Sequence, residues 1–345
     1  MRAVVLTAFG GPENLELRQV PEPAPGPGEV LLRVRACALN HLDLWVRAGL
    51  PAAKVKLPFI LGSDAAGEVA SLGPGVAGHK VGDRVAVHPG RSCGACPACA
   101  EGREPDCPAY GIIGAYGGHT GAYCEFLAVP ERHLLPMPHE DMSFTEAASL
   151  PLAALTAWNM LTTEGGLRTG QTVLIVGAGA GVSVMAIQIA RALGARVIAT
   201  TSDPSKVERA RELGAHEVIL HPPEDLARAV RRLTGGAMAD LVFEHVGKAV
   251  IGEALKCLRP SGRLVTCGAT SGYDASIDLR WVFSKRLKIL GAKMGNLADM
   301  REVWKLAVDG RLRPVIDKVF ALADARLAHE RLESRGQFGK VVLET

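Results

Sequence analysis

Apolar and polar positions change rhythm along this chain. In the first half the apolar residues come in short runs, AVVLTAF, EVLLRVRACAL, GEVASLG, DRVAVHP and CEFLAVP. Segments such as PEPAPGPGE and GPGVAGHKVGD separate them. Short β-rich runs punctuated by Gly and Pro predict a small antiparallel barrel or sandwich. Near Ala147 the pattern changes, and AASLPLAALTAWNML carries apolar residues at helical spacing. Beyond it TVLIVG, ARVIATT, HEVIL, DLVFEHVG, GRLVTCGA and LKILGA read as strands. Between them VSVMAIQIARAL, KVERAREL, DLARAVRRLTG and AVIGEALKCLR read as helices, two of them stopped by Gly194 and Gly214. Strands and helices alternating through short loops predict a parallel, doubly wound sheet. The tail from about Asn296 reads as one more helix, DMREVWKLAVDG, then two strands, KVFAL and KVVLE, expected to return to the first domain.

Length and composition narrow this picture. At roughly 100–200 residues per domain, 345 residues suggest two domains. The hydrophobic share of 48% and charged share of 22% exclude a disordered or collagen-like chain. A net charge of +3 forces no basic face, so nucleic acid is not implied as a partner. MRAVVLTAFGGPENLEL lacks the apolar core of a signal peptide. No apolar run reaches the ~18 residues of a membrane span. A cytoplasmic protein with a small-molecule substrate and no membrane partner is expected.

Four of the eight cysteines, Cys93, Cys96, Cys99 and Cys107, crowd into RSCGACPACAEGREPDCPAY as C-x2-C-x2-C-x7-C. Thiols stay reduced in the cytosol, and four thiolates fill the shell of one tetrahedral, structural Zn²⁺. Gly94, Pro97 and Gly102 allow the loop to fold back. An iron–sulfur cluster is the rival, since three of its cysteines can also be spaced by two. Cys37, Cys124, Cys257 and Cys267 read as small core residues.

The segment TVLIVGAGAGVSVMAIQIA carries the binding motif. Gly177 and Gly179 match the first two glycines of G-x-G-x-x-G, with Val182 at the third. Ala180, Gly181 and Ser183 keep the turn small, so backbone can approach a pyrophosphate at the helix N-terminus. The strand before it and the helix after it are the context that gives the motif meaning. An acid about 20 residues on would bind the ribose diol of NAD. That count reaches Thr201, Ser202 and Asp203, but Asp203 precedes Pro204 and reads as a helix N-cap. Thr201, Ser202 and Lys206 would then face the ribose. Hydroxyls with a cation suit a 2′-phosphate, which favours NADP(H); NAD(H) stays open if Asp203 turns to the ribose.

Taken together, VLLRVRACALNHLDL, LPFILGSDAAGEV, VGDRVAV, the four-cysteine lobe, AASLPLAALTAW, the nucleotide turn, GRLVTCGAT and GKVVLE resemble the medium-chain dehydrogenase/reductase superfamily over nearly the whole length. This superfamily includes zinc alcohol dehydrogenases and quinone oxidoreductases. The resemblance implies an α/β protein: a GroES-like β-barrel catalytic domain plus a doubly wound, parallel-sheet Rossmann domain. Expected boundaries are 1–153 and 295–345 for the first, with its zinc lobe at about 91–110, and 154–294 for the second. It also implies an active site in the cleft between the domains, and a homodimer or homotetramer, often joined near LKILGA. Thr156 resembles the residue beside the nicotinamide. His245, after DLVFE, lies where ligands gather in such sheets, although a satisfied loop histidine reads as well; Gly268, Ala269 and Thr270 close the cofactor set.

The chain departs from the alcohol dehydrogenase pattern where that pattern holds its catalytic zinc. Matching the motifs puts Asn40 at the first cysteine, Ser63 at the histidine, Asp64 at the glutamate and Leu152 at the second cysteine. Leu42 takes the place of the proton-relaying Ser/Thr. Asn, Ser and Leu do not make a zinc site, so no catalytic metal is expected. Asn40 with Gly-Ser-Asp instead resembles the quinone oxidoreductase and enone reductase branch. The implied activity is hydride transfer between NAD(P)(H) and a quinone, enone or aldehyde/alcohol. Asn40 would donate to the developing oxyanion, Trp45 would form a wall for a flat substrate or simply pack in the core, and His41 would hold the pyrophosphate or shuttle a proton. Asp64 reads either as catalytic or as a buried structural acid. Two alternatives stay open: a zinc alcohol dehydrogenase using Asp43, Asp64 and His41, and a non-catalytic NAD(P)-binding sensor or structural protein.

Overall fold

In the computed structural model, which describes residues 1–220 and 225–345, the ten-residue strand Glu29–Ala38 is the spine of the first unit. Its burial pattern leaves Arg33 outside and places Val30, Leu32, Val34 and Ala36 in the core. Partners change along its length. Phe126–Pro130 runs antiparallel to Glu29–Arg33 on one edge, Ala66–Leu72 covers most of the other, and Lys340–Glu344 takes over at Ala36–Ala38. Seven strands join this way, and a smaller sheet of Leu15–Gln19, Arg2–Leu6 and Phe59–Ile60 adds to them. Gly67 marks a tight crossing, since a Cβ there would lie 2.0 Å from the Arg33 carbonyl oxygen. The two tail strands, Ile316–Ala321 and Lys340–Glu344, return to this sheet and pair in parallel.

Behind the sheet a polar line is fully buried. The Arg47 guanidinium, which can only donate, gives a hydrogen bond to His329 Nδ1 at 3.1 Å. The proton of His329 must then sit on Nε2, which donates to the Tyr123 hydroxyl at 3.1 Å. Arg47 also pairs with Glu333. Helix His41–Arg47 is thereby pinned from within to helix Ala325–Glu333.

The second unit holds six strands, all parallel, in the order Glu217–Leu220, Arg196–Thr201, Thr172–Ile175, Ala239–Glu244, Leu258–Thr266, Lys288–Gly291. Counted along the chain this is 3-2-1-4-5-6, the doubly wound order with a switch point between the first and fourth strands. Leu174, Ile198, Val242, Leu255 and Leu264 fill one core layer. Helix Gly181–Ala192 buries Val184 through Ala190 because its outward positions are few.

The units comprise Met1–Ala153, Asn296–Trp304 and Pro314–Thr345, against Ala154–Gly295 and Lys305–Arg313. The sequence expectation assigned all of 295–345 to the catalytic domain. Residues 305–313 cluster instead with the nucleotide unit, where the Gln188 amide donates to the Arg313 carbonyl at 3.1 Å and accepts from its N–H at 2.9 Å. Among the described residues no helix is long and apolar enough to cross a membrane.

Burial holds four imidazoles neutral. His88 and His245 are pushed down to about 4, and His133 and His329 to about 3, the last two also by neighbouring cationic or titratable groups. Unfolded histidine titrates near 6.5, so between that pH and about 4 the unfolded chain binds more protons and stability falls with pH. Asp43, raised to about 7 by burial, and Glu244, also raised by burial, act in the opposite sense, but they are two carboxyls against four imidazoles. Each net proton is worth about 1.4 kcal/mol per pH unit. Melting by circular dichroism should therefore show Tm falling steeply from pH 6.5 to 4.5; a flat profile would contradict neutral buried histidines.

Candidate functional site

The nucleotide turn begins where strand Thr172–Ile175 ends. Gly177 has φ +71°, a left-handed conformation that favours glycine. The Thr200 hydroxyl accepts its N–H at 3.2 Å, tying the turn to the neighbouring strand. Helix Gly181–Ala192 then starts behind Ala180, which has no side-chain oxygen to cap it. Its first-turn N–H groups are left for water or an anion, and a pyrophosphate fits that donor set. Val182 at the third motif position is half-buried in this first turn. Beneath the turn His245 Nε2 lies 3.1 Å from the Val176 carbonyl and 2.9 Å from the Ser183 hydroxyl. His245 braces the switch point as a satisfied histidine. Thr270 N–H donates to the His245 carbonyl at 3.3 Å, and the Thr266 hydroxyl holds the Gly268 carbonyl at 3.1 Å. Thus Gly177, His245 and the Gly268–Ala269–Thr270 segment meet at the strand ends.

At the next strand end Asp203 is an N-cap. Its Oδ1 accepts from the Ser205 N–H at 2.9 Å and hydroxyl at 2.7 Å, and these bonds hold its pKa below the usual carboxylate value. Thr201 Oγ1 accepts from the Asp203 N–H at 3.2 Å. Ser202 is exposed, and the buried Lys206 ammonium stands 3.8 Å from Asp203 Oδ2. Thr156 is buried on helix Pro151–Trp158.

In the first unit, Asn40, Asp43 and Asp64 come together with a residue that the sequence reading left aside, Lys340. Asn40 ends strand Glu29–Ala38 and opens helix His41–Arg47, and Asp43 accepts its N–H at 2.7 Å as the other half of a capping box. The Gly62 N–H reaches the second Asp43 oxygen at 3.2 Å. Burial raises the Asp43 carboxyl to about 7 against the pull of the Asn40 N–H and the Lys340 charge. Asp64 is fully buried; Oδ1 accepts from the Leu152 N–H at 2.7 Å and Oδ2 from Asn40 Nδ2 at 2.9 Å. Lys340 Nζ completes the group, 3.0 Å from Asp64 Oδ2 and 2.6 Å from Asn40 Oδ1. Ser63 is buried beside them in sequence, its hydroxyl without a protein partner. His41 and Trp45, one helical turn apart and half-buried, meet edge to face at 5.8 Å between ring centroids. The sequence signal for Lys340 was a lysine directly before the apolar run VVL of the strand KVVLE.

Among the described residues, the one gathering of three or more potential metal-binding side chains is Cys93, Cys96, Cys99 and Cys107, all Sγ atoms within 4.8 Å of one another. Asp43, Asp64 and His41 form no such group. Neighbouring sulfurs stand 3.5 Å (Cys96–Cys99, Cys93–Cys107) and 3.9 Å (Cys93–Cys99) apart. Zn–S bonds of about 2.3 Å in a tetrahedron require edges of about 3.8 Å, so the thiols fit a zinc ion. Backbone N–H groups of Ala95 and Cys96 stabilise the Cys93 thiolate and lower it to about 6. Gly94 (φ +75°) and Gly102 (φ +71°) make the reversals, and Asn296 Nδ2 grips the Gly102 carbonyl at 2.7 Å.

Comparison with known proteins gives the same two halves. Residues 26–139 match the family described as alcohol dehydrogenase GroES-like domain, and residues 181–309 match that described as zinc-binding dehydrogenase. A quinone oxidoreductase of Pseudomonas aeruginosa is 35% identical over 351 residues, spanning 99% of both chains. A 2-haloacrylate reductase of a Burkholderia species is 32% identical over 354 residues, spanning 99% of this chain and 98% of its own. The crystal structure of an NAD-dependent alcohol dehydrogenase superposes with TM-score 0.96 at 45% identity, covering all of both chains.

The cysteine geometry predicts one zinc per chain by elemental analysis. Cys99→Ser should lose that zinc and lower Tm by several degrees; a zinc-free variant as stable as the parent would refute a structural role. Two zincs per chain would place a metal elsewhere.

Proposed function

The chain belongs to the medium-chain dehydrogenase/reductase superfamily and is an NAD(P)-dependent oxidoreductase, and from that premise we propose that it transfers hydride to or from a quinone, enone or aldehyde/alcohol without a catalytic zinc. The observation that carries this reading is the hydrogen-bonded set Asn40–Asp64–Lys340. At the positions that resemble the zinc ligands of alcohol dehydrogenases stand an amide, a hydroxyl and an alkyl group, and the one carboxylate is already satisfied by Leu152 N–H, Asn40 and Lys340. A divalent cation would have to displace a lysine to bind there. The names of relatives that reduce quinones and a haloacrylate agree with electron-poor acceptors.

The bound nicotinamide cofactor supplies or takes up the hydride. The chain's own groups orient and stabilise. The Gly177 turn and the first amides of helix Gly181–Ala192 hold the pyrophosphate, with His245 keeping the turn rigid. Asn40 has one amide hydrogen on Asp64; the other meets only the Ala38 carbonyl at 3.4 Å. That second hydrogen is the donor offered to a substrate oxygen as it gains charge, a role worth roughly 3 kcal/mol where a single such donor has been removed. Trp45 supplies a flat wall, with the His41 ring set steeply against it. For the cofactor, Ser202 and Lys206 support NADP(H): Ser202 is exposed, and the Lys206 ammonium, 3.8 Å from Asp203 Oδ2, puts a positive charge at the strand end where a 2′-phosphate would lie. The Asp203 carboxylate supports the second reading, NAD(H).

Steady oxidation of NADPH with a panel of quinones, enones and aldehydes is expected, unchanged by chelators that leave the lobe zinc in place. A flat trace across the panel, or loss of rate with chelator before the lobe zinc departs, would overturn the reading. Lys206→Ala should shift the NADPH/NADH ratio of kcat/KM toward NADH by about tenfold, one charge-assisted bond's worth; an unchanged ratio would assign the ribose end to Asp203.

A further inference from the structure

Lys340 is the residue whose placement asks for a function. Its side chain is 2% exposed on the sheet's closing strand, next to a carboxylate that is wholly buried. Nothing in the folding of KVVLE needs an ammonium there, and a buried ion pair adds little to stability when compared with apolar residues of similar size.

The three side chains close a ring: Lys340 Nζ to Asn40 Oδ1 (2.6 Å), Asn40 Nδ2 to Asp64 Oδ2 (2.9 Å), and Asp64 Oδ2 back to Lys340 Nζ (3.0 Å). An ammonium can only donate and a carboxylate can only accept. The amide of Asn40 therefore has one allowed orientation, oxygen toward Lys340 and nitrogen toward Asp64. Without the ammonium, Asn40 Oδ1 would lose its partner and the amide would be held mainly by its Nδ2–Asp64 bond, free to rotate about it. The ammonium also withdraws electron density through Oδ1, which strengthens both Nδ2–H groups as donors. One of these is the hydrogen left in a long contact with Ala38.

We propose that Lys340 is a positioning residue for hydride transfer: it fixes the orientation of the Asn40 amide and sharpens its remaining N–H as a donor to the substrate oxygen. The idea rests on the reading of Asn40 given above. No bond to Lys340 forms or breaks, and its proton stays in place. Lys340 thus supplies, from the far end of the chain, the fixed positive charge beside the reacting oxygen that the metal-binding side chains missing from these positions do not.

The test compares four chains: the parent, Asn40→Ala, Lys340→Met, and Lys340→Met with Asn40→Ala. Lys340→Met alone leaves Asp64 buried and unpaired, so Lys340→Met/Asp64→Asn, which removes both charges, is measured beside it, with Tm as the check on folding. The expected result is a kcat lowered about tenfold or more in every variant lacking Lys340, since a single removed donor of this kind is worth ~10²–10³. KM for the cofactor should stay within about twofold, because no ground-state contact to it is lost. The deuterium isotope effect on kcat should rise as the chemical step becomes limiting. The Asn40→Ala/Lys340→Met double variant should be no slower than Asn40→Ala, since Lys340 acts through Asn40. Multiplicative losses in that double variant, or a folded Lys340→Met/Asp64→Asn with the parent's kcat, would overturn the proposal while leaving the oxidoreductase reading intact. A parent chain with no turnover on the panel would fail that reading first, and this one with it.

Discussion

A lysine ammonium held out of water beside a carboxylate is the interaction on which the first unit turns. Neither charge tolerates burial alone, since an unpaired buried ion costs several kcal/mol. Lys340 and Asp64 therefore have to arrive together, and they lie 276 residues apart. The pairing demands that the last strand lie beside Ala36–Ala38, that the Gly-Ser-Asp segment pass under it, and that the Leu152 N–H point inward. Register supplies the rest: Leu39 N–H meets the Val341 carbonyl at 2.8 Å, which sets Lys340 opposite Asn40. A one-residue slip would turn Lys340 to the other face of the strand.

Asn40 and Asp43 translate this pair into the geometry of helix His41–Arg47. The helix is capped by Asp43 at its start and held by Arg47 at its end through His329 and Tyr123. Both anchors lie on one face, four residues apart, which leaves His41 and Trp45 on the other. A seven-residue helix has little stability of its own. Its direction is imposed by buried polar contacts at both ends, so the orientation of Asn40 is fixed from two sides.

Local chemistry was legible in the sequence. Four cysteines within fifteen residues, a glycine turn between a strand and a helix, and Asp-Pro at a helix start each carry their physical cause within a short window. The structure realises them as a sulfur cluster of tetrahedral size, a positive-φ Gly177 and a capping Asp203. The doubly wound sheet was legible for the same reason, since its strands and helices alternate in order. Lys340 was not. Its meaning lies in two residues near the other end of the chain, and a lysine at a strand's start is ordinarily a solvated edge residue. The placement of Lys305–Arg313 was equally hidden, because it depends on Gln188 reaching across 125 residues.

The comparison between the lobe and the Asn40 cluster separates two uses of positive charge. In the lobe four thiols lie on a loop that turns by glycine, and the sulfur set offers four ligands to a cation. Around Asn40 the cation is covalently part of the chain. It cannot exchange or leave, and two of its three hydrogens already point at Asn40 and Asp64. A metal in such a place would bind the reacting oxygen directly and acidify it. In the role proposed for Lys340, a tethered ammonium acts through the amide it holds and offers a reacting oxygen a hydrogen-bond donor in place of a Lewis acid. Where the resemblance places Cys and His, Asn40 and Ser63 therefore border a filled, hydrogen-bonded set of Asn40, Asp64 and Lys340.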